Sequence, residues 1–173
     1  MQDIQLYLSL AEIAGVFVGF GTLIAIRGGG AREPLDVAPM RLVVVMGMLT
    51  VIAALAPVTL GRYDLTAHQI LTVSSLLVLV SYPALMLIHI RAPEYKAAKA
   101  LVLATRPTTQ NLLEDAAYVL IVAGSALALI VIVLGMAPAL EAALYFTVVV
   151  LLLIQAAWSL LWLVLMERQP VSA

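Results

Sequence analysis

Inside an apolar run covering residues 4–26 stands a single carboxylate, Glu12. An acidic group at the centre of a bilayer costs about 2.5–3.5 kcal/mol on insertion scales, and less off-centre. At 1.5 Å per residue, Glu12 lies roughly 12 Å inward from Ile4. Such a group faces a polar cavity, meets a partner, or is neutralised by a proton. Ser9, Glu12, Gly15, Gly19 and Thr22 recur at steps of three or four residues and so share one helical face. One reading of this face is a polar seam lining a pore or ion site. The other is helix packing, because Gly15 and Gly19 form a GxxxG that lets backbones approach closely. In that case Glu12 bonds to Ser74, Ser75 or another helix at similar depth.

A second polar face is written between residues 74 and 89, where Ser74, Ser81, Tyr82 and His89 recur close together. Pro83 interrupts the same stretch and should free the carbonyl of Leu79, a feature that lines cation paths in some membrane proteins. Kinks and serines also occur in membrane helices without transport, and His89, near the end of its run, reads as a structural histidine. Farther on, Gln155, Ser159 and Trp162 stand at i, i+4 and i+7. Gln155, in mid-span, is expected to bond across to a neighbouring helix, worth about 0.6 kcal/mol on average.

Other chemistry finds little support. The chain has no cysteine, which excludes disulfides, thiolate metal sites and thiol catalysis. It contains no Gly-x-Ser-x-Gly, no His-Glu-x-x-His and no paired carboxylates deep within its apolar runs. Gly28, Gly29 and Gly30 lack the Lys-Ser/Thr that completes a phosphate loop. The seven methionines make no copper path, since no second soft ligand accompanies Met46 and Met48. The reading is of a non-enzyme with no metal site and no cofactor. A net charge of −1 offers no basic field for nucleic acid.

The elements that carry these residues are long and apolar. Of 173 residues, 64% are hydrophobic and 11% charged, and mean hydropathy is +1.12; a soluble domain is nearer half apolar and a quarter charged. Five runs match the roughly 20 residues a spanning helix needs. They cover approximately residues 4–26, 37–60, 67–90, 112–135 and 139–166, and together make one transmembrane domain over residues 1–173. Asp36 is suited to cap the second run, Thr66 and Gln69 have capping-box spacing for the third, and Asn111 with Glu114 marks the start of the fourth. Gly135 to Pro138 separates the last two, and Glu167, Arg168 and Pro170 close the fifth. The stretch after Arg91 reads either as a short interfacial helix, its lysines toward headgroups, or as an extension of the third helix.

The fold class expected is therefore all-α, an integral membrane bundle of five transmembrane helices. Counting connections, one side holds Arg62 alone and the other the remaining eight of nine basic residues. Cytoplasmic loops carry excess Lys and Arg, so the N-terminus is expected outside and the C-terminus inside. The basic residues follow the first apolar run instead of preceding it, so this run reads as an anchor and not a secretory signal. The location expected is the plasma membrane, or the inner membrane if the source is a bacterium. Membrane lipid is one expected partner, with a second copy or another membrane protein as the other. The leading functional expectation is a homo-oligomeric channel or transport-like protein for ions or small solutes. The alternative is a non-catalytic accessory or scaffold subunit binding another membrane protein through its helix faces.

Overall fold

The computed structural model describes residues 2–27, 34–105 and 108–166, and all elements within them are helical. Six helices follow one another: α1 (Gln2–Arg27), α2 (Pro34–Leu60), α3 (Ala67–Arg91), α4 (Pro93–Thr105), α5 (Thr108–Val133) and α6 (Glu141–Met166). All but α4 are long and apolar enough to cross a membrane. Residues 28–30, Glu167, Arg168 and Pro170, named above, lie outside the described residues, as does the side chain of Trp162.

Burial follows the logic of a lipid solvent. Leu23, Val80, Leu120 and Leu127 are each more than 60% exposed, while Thr50, Ser74, Ser75 and Gln155 are buried. Buried small polar side chains and outward-facing large aliphatic ones are what hydrocarbon surroundings favour. Helices α2 and α6 form the centre, supplying Val43, Met46, Leu49, Tyr145, Val148 and Leu152 to the interior. α1 packs against α2 and α6, α3 against α2 and α5, and α5 against α3 and α6.

The helix ends follow local chemistry. Thr66 and Gln69 close the expected capping box: the Gln69 N–H donates to Thr66 Oγ1 at 3.3 Å, and the Thr66 N–H donates to Gln69 Oε1 at 2.9 Å. Helix α5 ends on Gly135 at φ 62°, with Met136 N–H donating to Val131 O and Gly135 N–H to Ile132 O. This is a Schellman motif, and only glycine enters its left-handed position without strain. Three helix starts differ from the sequence reading in ways that matter for their caps and turns. Helix α2 starts at Pro34, so Asp36 lies inside it and is no cap; α5 starts at Thr108, so Asn111 lies inside it and is no cap; and α6 starts at Glu141 after a turn instead of at Ala139. The polar residues of 108–111 continue a helix outside the apolar segment, where hydropathy cannot mark its start.

The stretch after Arg91 is a separate helix and not an extension of α3. Ala92 is extended (φ −62°, ψ 135°) because the following Pro93 disfavours helical geometry before it, while Pro93 itself suits a first helical position. α4 folds back onto α2 and α3, with Ala98 buried and Lys96 and Lys99 exposed.

The α1–α2 crossing relies on an absent side chain. A Cβ built on Gly47 would run into Val18 Cγ2 and stand 3.4 Å from Ala14 O; one on Gly21 would stand 3.0 Å from Val43 Cγ1. Ala11, Ala14, Val18 and Gly21 therefore form the seam that α1 presents to its neighbours. Gly47→Val should lower stability by about 1–3 kcal/mol through overpacking. Gly124 meets nothing within 4 Å, so Gly124→Ala should be neutral or stabilise by up to about 1 kcal/mol. Unfolding midpoints of the purified variants in a denaturing-detergent titration check both.

Candidate functional site: the outer face of α1

Helix α1 has two small-residue faces, and the bundle uses one. Two residues along a helix of 3.6 residues per turn place Glu12 about 160° round from the buried Ala14. Ser9, Glu12, Gly15, Gly19 and Thr22 all lie on the exposed side. A Cβ on Gly15 or Gly19 would meet no atom within 4 Å. The packing role expected for these two glycines is thus not met inside the subunit. Ala14 and Gly21 take it instead, because the crossing with α2 falls on the opposite side of the helix.

Glu12 is two residues, about 3 Å, from the midpoint of the apolar stretch Gln5–Leu23. No described side chain forms a hydrogen bond or ion pair with it. Ser74 and Ser75, offered as its partners, are fully buried on α3, while α1 packs on α2 and α6. Ile13 and Val16 beside it are exposed, so the carboxylate sits in a largely apolar outer wall, with Ser9 one turn away on the same face. Of its face, Thr22 alone carries a satisfied polar group, its hydroxyl donating to Val18 O at 2.8 Å.

The second expected seam is divided. Ser74 and Ser75 are buried, and their hydroxyls lack a partner in hydrogen-bond geometry, although Ser74 approaches the Tyr145 hydroxyl. Ser81 is half-buried. Helix α3 runs through Pro83, whose ring lies on the outer surface. The Tyr82 and Tyr118 hydroxyls pair at 2.9 Å, and Tyr118 donates to Met86 Sδ at 3.3 Å. That order makes Tyr82 the donor to Tyr118. Gln155, expected to bond across helices, is buried on α6 within reach of the Tyr82 hydroxyl, and its Oε1 has no partner. A cavity of about 170 Å³ lies here between α3, α5 and α6. α1 contributes nothing to it, so it does not connect with Glu12.

His89, read from the sequence as a structural histidine near the end of its run, is buried. Helix α4 covers it, and the Tyr95 ring lies 4.9 Å from the imidazole, centroid to centroid. Nearby, Arg41 Nη1 and Glu94 Oε2 stand 3.9 Å apart, both side chains 40% exposed, an ion pair of small energetic value.

The sequence reading missed a pair 73 residues apart at the opposite end of the bundle. His68 Nδ1 lies 2.9 and 3.0 Å from the two oxygens of Glu141, whose side chain is 6% exposed. Glu141 occupies the first turn of α6, where helix N–H groups favour an acid. His68 also packs beside Gly135, so the pair ties the start of α3 to the α5–α6 turn. Among the described residues, no three His, Asp or Glu side chains converge as a metal site.

No known protein family, curated protein or solved structure matches this chain.

His68→Leu should leave a nearly buried carboxylate without its partner and cost about 1–3 kcal/mol. Glu141→Gln should recover much of that loss in the His68→Leu background, because an amide is cheaper to bury than a carboxylate. Thermal unfolding of the two single variants and the double variant gives the coupling.

Proposed function

We propose that this protein is a homo-oligomeric channel or transport-like membrane protein for small cations, its path formed where α1 faces of several subunits meet. The single observation behind this reading is Glu12, unpaired and exposed in mid-span on the outside of the subunit. A lone subunit in lipid leaves that group in hydrocarbon. Assembly through the same face gives it a polar, water-accessible axis shared with Ser9 and Thr22. The open glycines Gly15 and Gly19 permit the close helix approach such an interface requires. A ring of carboxylates is a common device for attracting cations. A path through a single subunit is less well supported, since the internal cavity is separate from the polar face.

The same face also suits a different membrane protein, which is the accessory-subunit reading. The two part on flux. Purified protein alone in liposomes should conduct cations, and Glu12→Gln, which keeps the side chain's size but cannot ionise, should reduce or reroute that flux while the fold survives. Gly19→Leu should reduce assembly in mild detergent without loss of subunit stability, because its side chain enters open space. Absence of flux under any gradient, together with wild-type assembly of Gly19→Leu, would move the reading to the accessory class.

We further propose a plasma-membrane or bacterial inner-membrane location with the N-terminus outside. Arg41, Arg91, Lys96 and Lys99 gather at the α4 end of the bundle and Arg62 at the other, the asymmetry expected of cytoplasmic and external faces. Cysteines replacing the exposed Lys99 and Ala139 report this directly. In intact cells an impermeant thiol reagent should label Ala139→Cys and spare Lys99→Cys; the reverse pattern inverts the topology.

A further inference from the structure

The cavity between α3, α5 and α6 has a composition that selects its contents. Its walls are mostly aliphatic, with Val78, Leu129 and Leu152 among them, and three polar side chains interrupt the lining: Tyr82, Ser125 and Gln155. Ser125 is 8% exposed and Gln155 6%, and both Ser125 Oγ and Gln155 Oε1 lack hydrogen-bond partners. Two orphaned polar atoms, each on a side chain more than nine-tenths buried, thus border one space. Tyr82 spends its own proton on Tyr118, and its oxygen lies within reach of the Gln155 amide.

Buried polar atoms are normally paired, and an orphan costs about 1–3 kcal/mol. An apolar cavity of about 150 Å³ is large enough to hold benzene. The present space is slightly larger and carries acceptors that benzene cannot use. Most of its wall offers water nothing to bond to, so water alone satisfies the polar corner and leaves the aliphatic remainder empty. A molecule with a compact apolar body and one hydroxyl satisfies both. Pro83 is the exposed residue of the lining, which places the mouth on the outer surface between α3 and α5 at mid-span. Entry from hydrocarbon excludes charged ligands.

We propose that this cavity is a binding site for a small neutral amphiphile of the phenol or short-alcohol class, its hydroxyl donating to Gln155 Oε1 and accepting from Ser125. The site is independent of the α1 face and of the channel reading. A ligand here bridges α3, α5 and α6, whose mutual contacts include the Tyr82–Tyr118 bond.

The test is photolabelling of the purified protein in lipid nanodiscs with a diazirine-bearing pentanol, mapped by mass spectrometry. Labelling should be saturable and concentrated on residues 78–83, 122–129 and 148–155. Phenol should compete, and toluene, of the same shape without a donor, should compete about tenfold less well, the loss of one hydrogen bond's worth of affinity. Gln155→Leu should remove the distinction between phenol and toluene. Ser125→Ala, a smaller change, should weaken phenol competition if Gln155→Leu fails to fold. Ala126→Phe should block labelling by filling the space. Even labelling of all lipid-facing segments, equal competition by toluene, or labelling unchanged by Ala126→Phe would each overturn the proposal.

Discussion

Hydrocarbon offers no hydrogen bonds, so every polar atom in the bundle must be answered by protein. The small hydroxyls answer themselves: Thr22, Thr50, Thr147 and Ser159 donate to the carbonyl four residues earlier in their own helices. These bonds satisfy the group but tie nothing together. Among the described residues, the hydrogen bonds that link helices away from their ends come from phenols. Tyr145 of α6 donates to Ala53 O of α2 at 2.8 Å, and Tyr82 of α3 meets Tyr118 of α5. A phenol reaches across an interhelical gap that a serine or threonine cannot, while its ring fills the apolar space between. Tyr7 extends the same pattern, its ring edge-on to Tyr145 and Phe146 at 6.1 Å and thus joining α1 to α6.

The α1–α2 contact works by the opposite means. There the helices approach because side chains are missing, at Gly47 and Gly21, and dispersion between closely spaced backbones replaces polar links. With Ala14 committed to this contact, helical geometry turns Glu12 outward. The exposed carboxylate is therefore a consequence of where the packing seam lies, and the same turn leaves Gly15 and Gly19 bare. Ser74, Ser75, Ser125 and Gln155 are buried while Glu12 and Ser9 stand on the outer wall.

The orphaned atoms gather where the phenol links are. Ser125 and Gln155 border the space next to the Tyr82–Tyr118 pair, and Ser74 approaches Tyr145. Four of the buried side chains with an unpartnered polar atom, Ser74, Ser75, Ser125 and Gln155, belong to α3, α5 and α6. The α1–α2 half is closed by backbone proximity.

Much of this was legible from the chain alone. Apolar runs of bilayer length located the five long helices to within a few residues, because hydropathy records where a chain can enter lipid. The Thr66–Gln69 capping box and the Gly135 stop were legible because they depend on neighbouring residues only. Glu12 stood out as an acid in an apolar run, and Gln155 as a buried amide. Tertiary structure alone decided which face of α1 turns inward. Amphipathic patterning cannot do so in lipid, where interior and exterior are both apolar and both α1 faces carry small residues. It also decided the His68–Glu141 pair, the covering of His89 by α4, and the meeting of Tyr82, Ser125 and Gln155 around one cavity. Each joins residues far apart in the chain, and no local spacing encodes which helices become neighbours.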